Sequence, residues 1–89
     1  MYRLELTSQA QHQLDKLSVA DLERIVATLQ QLRDNPRTSG AKKLRGPIYR
    51  IRVGDWRIVY AIFEKDHLVI IGKIARRSKD TYKTIKNLF

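Results

Sequence analysis

The sequence of 89 residues has no cysteine, two prolines, and four glycines that stand apart from one another. Without cysteine the chain can form neither a disulfide framework nor a thiolate metal site. The isolated glycines exclude a glycine-rich phosphate loop, and no motif for Ser-His-Asp or paired-carboxylate hydrolysis is present. The two histidines, His12 and His67, have no partner at a spacing typical of metal ligands. We therefore expect no metal ion and no cofactor.

Long hydrophobic runs are also missing. No apolar stretch approaches the roughly 20 residues that cross a bilayer, and the N-terminal segment has no basic-then-apolar signal pattern. Hydrophobic residues nevertheless make up 43% of the chain, which is enough for one small core. We expect a soluble, cytoplasmic protein without a membrane partner, folded as a single domain over residues 1–89.

Acidic residues are scarce in the second half of the chain. Residues 1–41 contain five basic and five acidic side chains, whereas residues 42–89 contain thirteen basic and four acidic ones and carry the whole net charge of +9. This asymmetry indicates an acidic partner that contacts the second half, most often nucleic acid. On charge alone, the alternatives are an anionic membrane surface, an acidic protein, and a basic domain with no polyanionic ligand.

The spacing of the apolar residues predicts seven secondary-structure elements. In chain order these are a strand at Tyr2–Leu6, a helix capped by Thr7 or Ser8, a helix capped by Ser18 and ended by Asn35-Pro36, strands at Leu44–Val53, Trp56–Glu64 and His67–Lys73, and a helix within Asp80–Phe89. The short links predict a helical hairpin and mainly antiparallel strands. The expected fold class is α+β, with the order β-α-α-β-β-β-α and the helical hairpin packed on a small twisted sheet.

The stretch YRIRVGDWRIVY, residues 49–60, predicts two strands joined by a two-residue Gly-Asp turn. Because side chains alternate between faces, Arg50, Arg52 and Arg57 all project away from the predicted core. With this turn Arg52 lies directly opposite Arg57, and opposed like charges destabilise a strand pair. The arrangement is either a solvated strand face or a site for a polyanion.

Basic clusters stand on both sides of this hairpin. KKLRG, residues 42–46, precedes it, and GKIARRSKDTYK, residues 72–83, overlaps and follows the last strand. Arginine binds phosphate oxygens through a planar fork, and tyrosine can stack on a base or transfer a proton. Together these groups can grip RNA and stabilise charge at phosphorus during attack by a 2′-hydroxyl. Each cluster by itself can also be a solvated face, and Tyr82 can be a helix residue that packs on the sheet.

The same residues carry a resemblance to a known family. KKLRGPIYRIRVGDWRIVYAI, residues 42–62, followed by IGKIARRSKDTYK, residues 71–83, resembles the RelE/ParE superfamily of toxins from bacterial type II toxin–antitoxin systems, and the RelE branch most. The pattern consists of four motifs in chain order. They are K-L-x-G, then Y-[KR]-[IV]-[KR]-[VL], then, after a short turn, [YW]-R-[ILV]-[VI]-Y, and finally R-x(4–5)-Y near the end. The resemblance spans essentially the whole chain and implies the RelE-like fold.

The resemblance implies a toxin that enters the ribosomal decoding site and cuts messenger RNA there without a metal, leaving a 2′,3′-cyclic phosphate. Arg57 matches the family's arginine that stabilises the transition state, and Tyr82 matches the tyrosine proposed as general base on the 2′-hydroxyl. Arg76 or Arg77 matches a second arginine near that tyrosine, and spacing favours Arg76. Arg52 stands where lysine is common, and it would lower the pKa of Tyr82 and stabilise charge on the phosphate.

The resemblance also implies partners. Messenger RNA and ribosomal RNA in the decoding site would be held by basic side chains outside the catalytic set, namely Lys42, Lys43, Arg45, Arg50, Lys73 and Lys79. An acidic, partly helical antitoxin would cover the basic face.

Two other functions are compatible with the sequence: a ParE-like gyrase inhibitor, and a non-toxic basic RNA-binding module of the same fold. The nuclease hypothesis depends on one geometric expectation. Arg52 and Arg57 should project from the same side of adjacent strands and converge with Tyr82 around a single nucleotide linkage.

Overall fold

The computed structural model describes residues 1–76. In chain order its elements are β1 (Arg3–Leu6), α1 (Ser8–Asp15), α2 (Val19–Asp34), β2 (Lys42–Arg45), β3 (Ile48–Val53), β4 (Trp56–Phe63), a short 3-10 helix (Glu64–Asp66) and β5 (Leu68–Arg76). Neither of the two α-helices in this part of the chain is both long and apolar enough to cross a membrane.

The five strands of residues 1–76 form one sheet in the order β1-β5-β4-β3-β2. Strands β2 to β5 pair antiparallel with their neighbours, and β1 lies parallel to β5. The fold is therefore α+β with a mixed, mainly antiparallel sheet, as predicted. Strands β3 and β4, which carry the arginines of residues 49–60, each have a paired strand on both sides, so their register is held from both edges.

Both α-helices begin at a side chain that accepts a hydrogen bond from the first turn. The hydroxyl of Thr7 accepts from the N–H of Ala10 at 3.2 Å, and the hydroxyl of Ser18 accepts from the N–H of Asp21 at 3.3 Å. Such caps satisfy backbone donors that have no partner within the helix. The sequence predicts the cap at Ser18 and leaves Thr7 or Ser8 for the first helix, of which the structure has Thr7.

The helices cover one side of the sheet, which we call the helical face. The buried core between them consists of Ala10, Ile25, Leu29 and Leu32 from the helices and Ile51, Ile58, Tyr60, Ile62, Val69, Ile71 and Ile74 from the sheet. Because strand side chains alternate, the residues between these positions project from the opposite side of the sheet.

The prediction of a single strand over Leu44–Val53 is wrong, because this segment belongs to two strands, β2 and β3, that pair antiparallel. Arg45 lies directly opposite Ile48, so the turn between them consists of two residues. Gly46 in this turn has a φ of +51°, which residues with a Cβ rarely adopt. The order therefore contains one strand more than β-α-α-β-β-β-α.

The last strand is longer than predicted, since β5 continues to Arg76 instead of ending at Lys73. It begins one residue later, because His67 has a φ of +51° at the end of the 3-10 helix. The predicted helix within Asp80–Phe89 lies outside the described residues.

Candidate functional site

The hairpin of β3 and β4 has the register that the sequence predicts. Val53 pairs with Trp56 across the turn, and Arg52 lies directly opposite Arg57. Gly54 has a φ of +59°, and a glycine with positive φ at the first turn position is typical of type II′ hairpins. Because the turn sets the register, it also sets the opposition of the two arginines.

Five basic side chains share the side of the sheet away from the helices. They are Lys42 on β2, Arg50 and Arg52 on β3, Arg57 on β4 and Lys73 on β5, and we call this surface the cationic face. One row of paired residues crosses four strands from Lys42 through Arg50 and Val59 to Lys73. Since directly paired residues project from the same face, the sheet itself brings these charges together.

A small apolar patch lies within the cationic face. Val59 is completely buried there and packs with Leu44 and Ile48. Arg57 is partly buried, with its Nε atom shielded from solvent, whereas Arg52 is exposed. A guanidinium next to apolar surroundings attracts an anion more strongly than one in open water. Arg57, and likewise Arg50, which is partly buried directly opposite Val59, therefore have an environment better suited than that of Arg52 to stabilise a phosphate.

A β-bulge in β5 brings Lys73 to the cationic face. Val59 pairs with Lys73, whereas the following residue of β4 already pairs with Ile71. Gly72 therefore has no partner on β4. One extra residue reverses the alternation of the strand, so Lys73 projects from the cationic face while Ile74, only 1% exposed, stays in the core.

Arg76, the favoured second catalytic arginine, lies on the helical face. It is directly opposite Trp56, and its guanidinium carbon is 4.9 Å from the centre of the Trp56 ring. This distance is typical of a cation–π contact. The structure does not bring Arg76 together with Arg57, which projects from the other side of the sheet, and a catalytic role of Arg76 stays a prediction.

The remaining predicted site residues have other positions. Arg45 is exposed beside the β2–β3 turn, opposite Ile48, at the edge of the cationic face. Lys43 is opposite Tyr49 and so projects toward the helical side. Arg77, Lys79 and Tyr82 lie outside the described residues, and the convergence of the Tyr82 phenol with the opposed arginines stays a prediction.

A second polar cluster joins the N-terminus, the α2–β2 connection and the β4–β5 connection. Arg37 forms a salt bridge with Glu64 and donates a hydrogen bond to the hydroxyl of Tyr49 at 3.2 Å. The hydroxyl of Tyr2 donates to Glu64 at 2.8 Å. The Arg37 guanidinium lowers the pKa of the Glu64 carboxyl, which in turn raises the pKa of the Tyr2 phenol. The polar groups of this cluster bond to one another, which is typical of residues that link segments of the fold.

Sequence reasoning does not identify the two residues that contact the bulge. The hydroxyl of Thr7 donates to the carbonyl oxygen of Gly72 at 3.2 Å, and the side-chain oxygen of Gln13 accepts from the N–H of Ile74 at 2.7 Å. The sequence predicts Thr7 only as a helix cap and Gln13 not at all. The available signal is Gly72, because an isolated glycine within a strand often marks a bulge.

The cationic face can bind the phosphates of a polyanion. Residues directly opposite on antiparallel strands have Cα atoms about 5 Å apart, so Arg52 and Arg57 can reach the same phosphate group. Arginine presents paired donors to phosphate oxygens. Within residues 1–76, no group of three His, Cys, Asp or Glu side chains is arranged to hold a metal ion. The positive charge that the described site supplies is that of arginine and lysine.

The sequence matches the model of one toxin family and is similar to a RelE protein. Residues 4–81 match the sequence model of a family described as the ParE toxin of the type II toxin–antitoxin system parDE. The RelE1 protein of Methanocaldococcus jannaschii is 28% identical over an alignment of 81 residues, and the match covers 85% of this chain and 90% of RelE1.

The structure is similar to toxins solved in complexes with antitoxins. RelE in the archaeal RelE–RelB complex from Pyrococcus horikoshii is 28% identical, with a TM-score of 0.80 over 88% of this chain and 97% of that chain. A chain of the RelBE2 toxin–antitoxin complex from Mycobacterium tuberculosis is 26% identical, with a TM-score of 0.75 over 85% of this chain and 98% of that chain. The intact RelBE complex of E. coli, at 23% identity and a TM-score of 0.77 over 89% of this chain and 100% of that chain, shares the fold.

Proposed function

Because the chain belongs to the ParE toxin family of type II toxin–antitoxin systems, we propose that it is a RelE-like toxin that cuts messenger RNA in the ribosomal decoding site. In this reaction the 2′-hydroxyl attacks the adjacent phosphorus and the bond from phosphorus to the 5′ oxygen breaks. The products are a 2′,3′-cyclic phosphate and a free 5′-hydroxyl. The proton of the 2′-hydroxyl passes to a general base, and the leaving 5′ oxygen receives a proton. No metal ion takes part.

The observation that carries this proposal is the direct opposition of Arg52 and Arg57 on the cationic face. In-line attack at phosphorus builds up negative charge on the phosphate oxygens, and positioned guanidinium groups stabilise that charge. We assign to Arg57, whose Nε atom is shielded from solvent, the stabilisation of the transition state. Arg52, the more exposed of the two, is assigned to the same phosphate.

The general base of the proposal is Tyr82, because hardly any arginine in a protein gives up its proton. Arg52 would lower the pKa of the Tyr82 phenol by stabilising its anion. The other members of the cationic face, Lys42, Arg50 and Lys73, would bind phosphates on either side of the cut. Arg45, at the edge of the face, would extend this contact along the RNA.

An antitoxin partner is part of the proposal. The RelE of Pyrococcus horikoshii and the RelBE proteins of E. coli were solved as complexes with antitoxins. We infer that an acidic, partly helical antitoxin binds this chain and covers the cationic face, since a surface that attracts phosphates also attracts clustered carboxylates.

The deciding experiment is primer extension on a messenger RNA incubated with purified protein, with and without translating ribosomes. The parent protein should cut only the translated message. Arg57→Ala should lower the rate of cutting by a factor of about 10² to 10³, the usual loss when one transition-state donor is removed. Arg33→Ala is the matched control, because Arg33 is an exposed arginine of α2, distant in the chain from the cationic face. Full-rate cutting by a folded Arg57→Ala protein would contradict the assignment of Arg57, and a parent protein that leaves the translated message intact would contradict the proposal.

Gyrase inhibition is the second candidate function, and the match to the ParE family model favours it. The two candidates separate in one comparison. A gyrase inhibitor blocks supercoiling of relaxed plasmid DNA by purified gyrase and leaves translated messages intact. A ribosome-dependent nuclease cuts translated messages and leaves supercoiling by gyrase unchanged.

A further inference from the structure

The bulge at Gly72 decides which residues of β5 reach the cationic face. Without the bulge, the register that pairs Tyr60 with Ile71 would continue unchanged along β4 and β5. Arg57 would then lie opposite Ile74 instead of Ala75. Lys73 would then project into the core beside Ile58, where burial of an ammonium group is costly. The bulge therefore places a lysine on the cationic face and a small residue beside Arg57.

The edge of β5 at the bulge is held by side chains of the first helical segment. Strand β1 ends at Leu6, opposite Ile71, so within residues 1–76 the backbone groups of β5 beyond this point have no strand partner on that side. The Thr7 hydroxyl bonds to the carbonyl of Gly72, and the Gln13 side-chain oxygen bonds to the N–H of Ile74, at 3.2 and 2.7 Å. Two side chains thus replace the missing strand on both sides of Lys73.

We propose that Gln13, together with the helix cap Thr7, is a positioning residue for the RNA-binding site: it holds the β5 bulge in the form that directs Lys73 onto the cationic face. This inference rests on the proposed function, since it assigns the bulge a purpose in binding RNA phosphates. Loss of the Gln13 bond frees the N–H of Ile74 and loosens the segment that carries Lys73. The strand cannot slip by one residue instead, because a slip would bury Lys73.

Two substitutions separate the hydrogen bond from the volume of the side chain. Gln13→Met keeps the length of the side chain and removes the acceptor oxygen, whereas Gln13→Glu keeps an acceptor. Gln9→Met is the matched control, because Gln9 is exposed on the same helix. In Gln13→Met, amide exchange of Ile74 should be at least about tenfold faster, and Gln13→Glu should restore protection.

The functional readout is binding of a labelled single-stranded RNA of about ten nucleotides, measured in the parent and in a Lys73→Gln background. Gln13→Met should weaken binding about threefold to tenfold and lower the salt dependence by about one phosphate contact. In the Lys73→Gln background the same substitution should have almost no further effect. A residue that only stabilised the fold would weaken binding equally in both backgrounds.

The inference is overturned if Ile74 exchange is unchanged in Gln13→Met, or if the loss of RNA binding is the same in both backgrounds. It is also overturned if Gln13→Met binds RNA like the parent while Lys73→Gln binds weakly. Failure of the proposed function has a different signature, namely that the parent protein leaves translated messages intact.

Discussion

Arg52 and Arg57 are directly paired on adjacent antiparallel strands and project from the same face of the sheet. Opposed like charges destabilise a strand pair, so this arrangement has a cost in folding free energy. Strand β5, which pairs with Arg57 at Ala75, and the core under the sheet hold the pair in place. In the proposed function, this pair provides the site for a phosphate.

Replacing Arg52 should therefore raise stability while lowering RNA binding. At low ionic strength, Arg52→Gln should increase the free energy of unfolding by a few tenths of a kcal/mol, up to about 1 kcal/mol. Salt screens exposed charges, so the gain should shrink at about 0.5 M salt. Urea unfolding at the two salt concentrations measures the effect.

Lys65→Gln is the control for this prediction, because Lys65 is exposed between two acidic residues in the 3-10 helix. It should give no stabilisation at either salt concentration. Equal stabilities of Arg52→Gln and the parent at low salt would mean that the opposed guanidinium groups do not repel one another.

Arg76 and Arg57 should differ in their effect on cutting. Since Arg76 stacks on Trp56 on the helical face, Arg76→Gln should retain most of the ribosome-dependent cutting and lose about 0.5–1 kcal/mol of stability from the cation–π contact. Arg57→Gln should lose most of the cutting. Primer extension and urea unfolding on both variants test the difference, and a larger loss of cutting in Arg76→Gln would reverse the assignment.

The two hairpin glycines offer a matched pair of substitutions. Gly46 and Gly54 both have positive φ, so alanine at either should destabilise the protein by about 1–2 kcal/mol. A Cβ at Gly46 meets open space, whereas a Cβ at Gly54 meets the guanidinium of Arg24. Gly54→Ala should therefore be slightly more destabilising in urea unfolding.

If the contact with Arg24 causes the difference in stability between the two alanine variants, then Arg24→Ala should abolish that difference. In the Arg24→Ala background, the two glycine substitutions should have equal effects. A difference of the same size in both backgrounds would place its cause in the backbone of the turn.

Stability should depend on pH through Glu64. A hydrogen bond from Arg37 stabilises the ionised carboxylate of Glu64. The pKa of Glu64 is therefore lower in the folded chain than the ordinary value of 4.5. The unfolded chain is protonated first as the pH falls, so the contribution of Glu64 is complete above about pH 4.5 and is lost as the pH falls through the folded pKa. Glu64→Gln should be less stable than the parent at pH 7, and the gap should narrow below pH 4.5.

Urea midpoints between pH 7 and pH 3 measure this gap. Glu23→Gln, an exposed substitution on α2, is the control and should follow the parent at every pH. A gap between Glu64→Gln and the parent that stays constant down to pH 3 would contradict the prediction.

Much of the fold follows from local sequence signals. The caps at Thr7 and Ser18, the register of the β3–β4 hairpin and the apolar stripes of both helices depend on residues close together in the chain, so their chemistry is visible in the sequence. The turn at Gly46-Pro47 is missed although this dipeptide is itself a turn signal, because the four residues of β2 before it are mostly charged and do not show the pattern of a separate strand. The end of β5 is missed because its partners are β4 and the side chains of α1.

The sequence by itself determined that Arg50, Arg52 and Arg57 share one face, because strand alternation and a two-residue turn require it. Only the tertiary structure decided that Lys73 joins them and that Arg76 does not. A single unpaired residue, Gly72, reverses the alternation of β5, and the bonds that hold this bulge come from a helix about sixty residues earlier in the chain. Contacts at that separation have no periodic signature in the sequence.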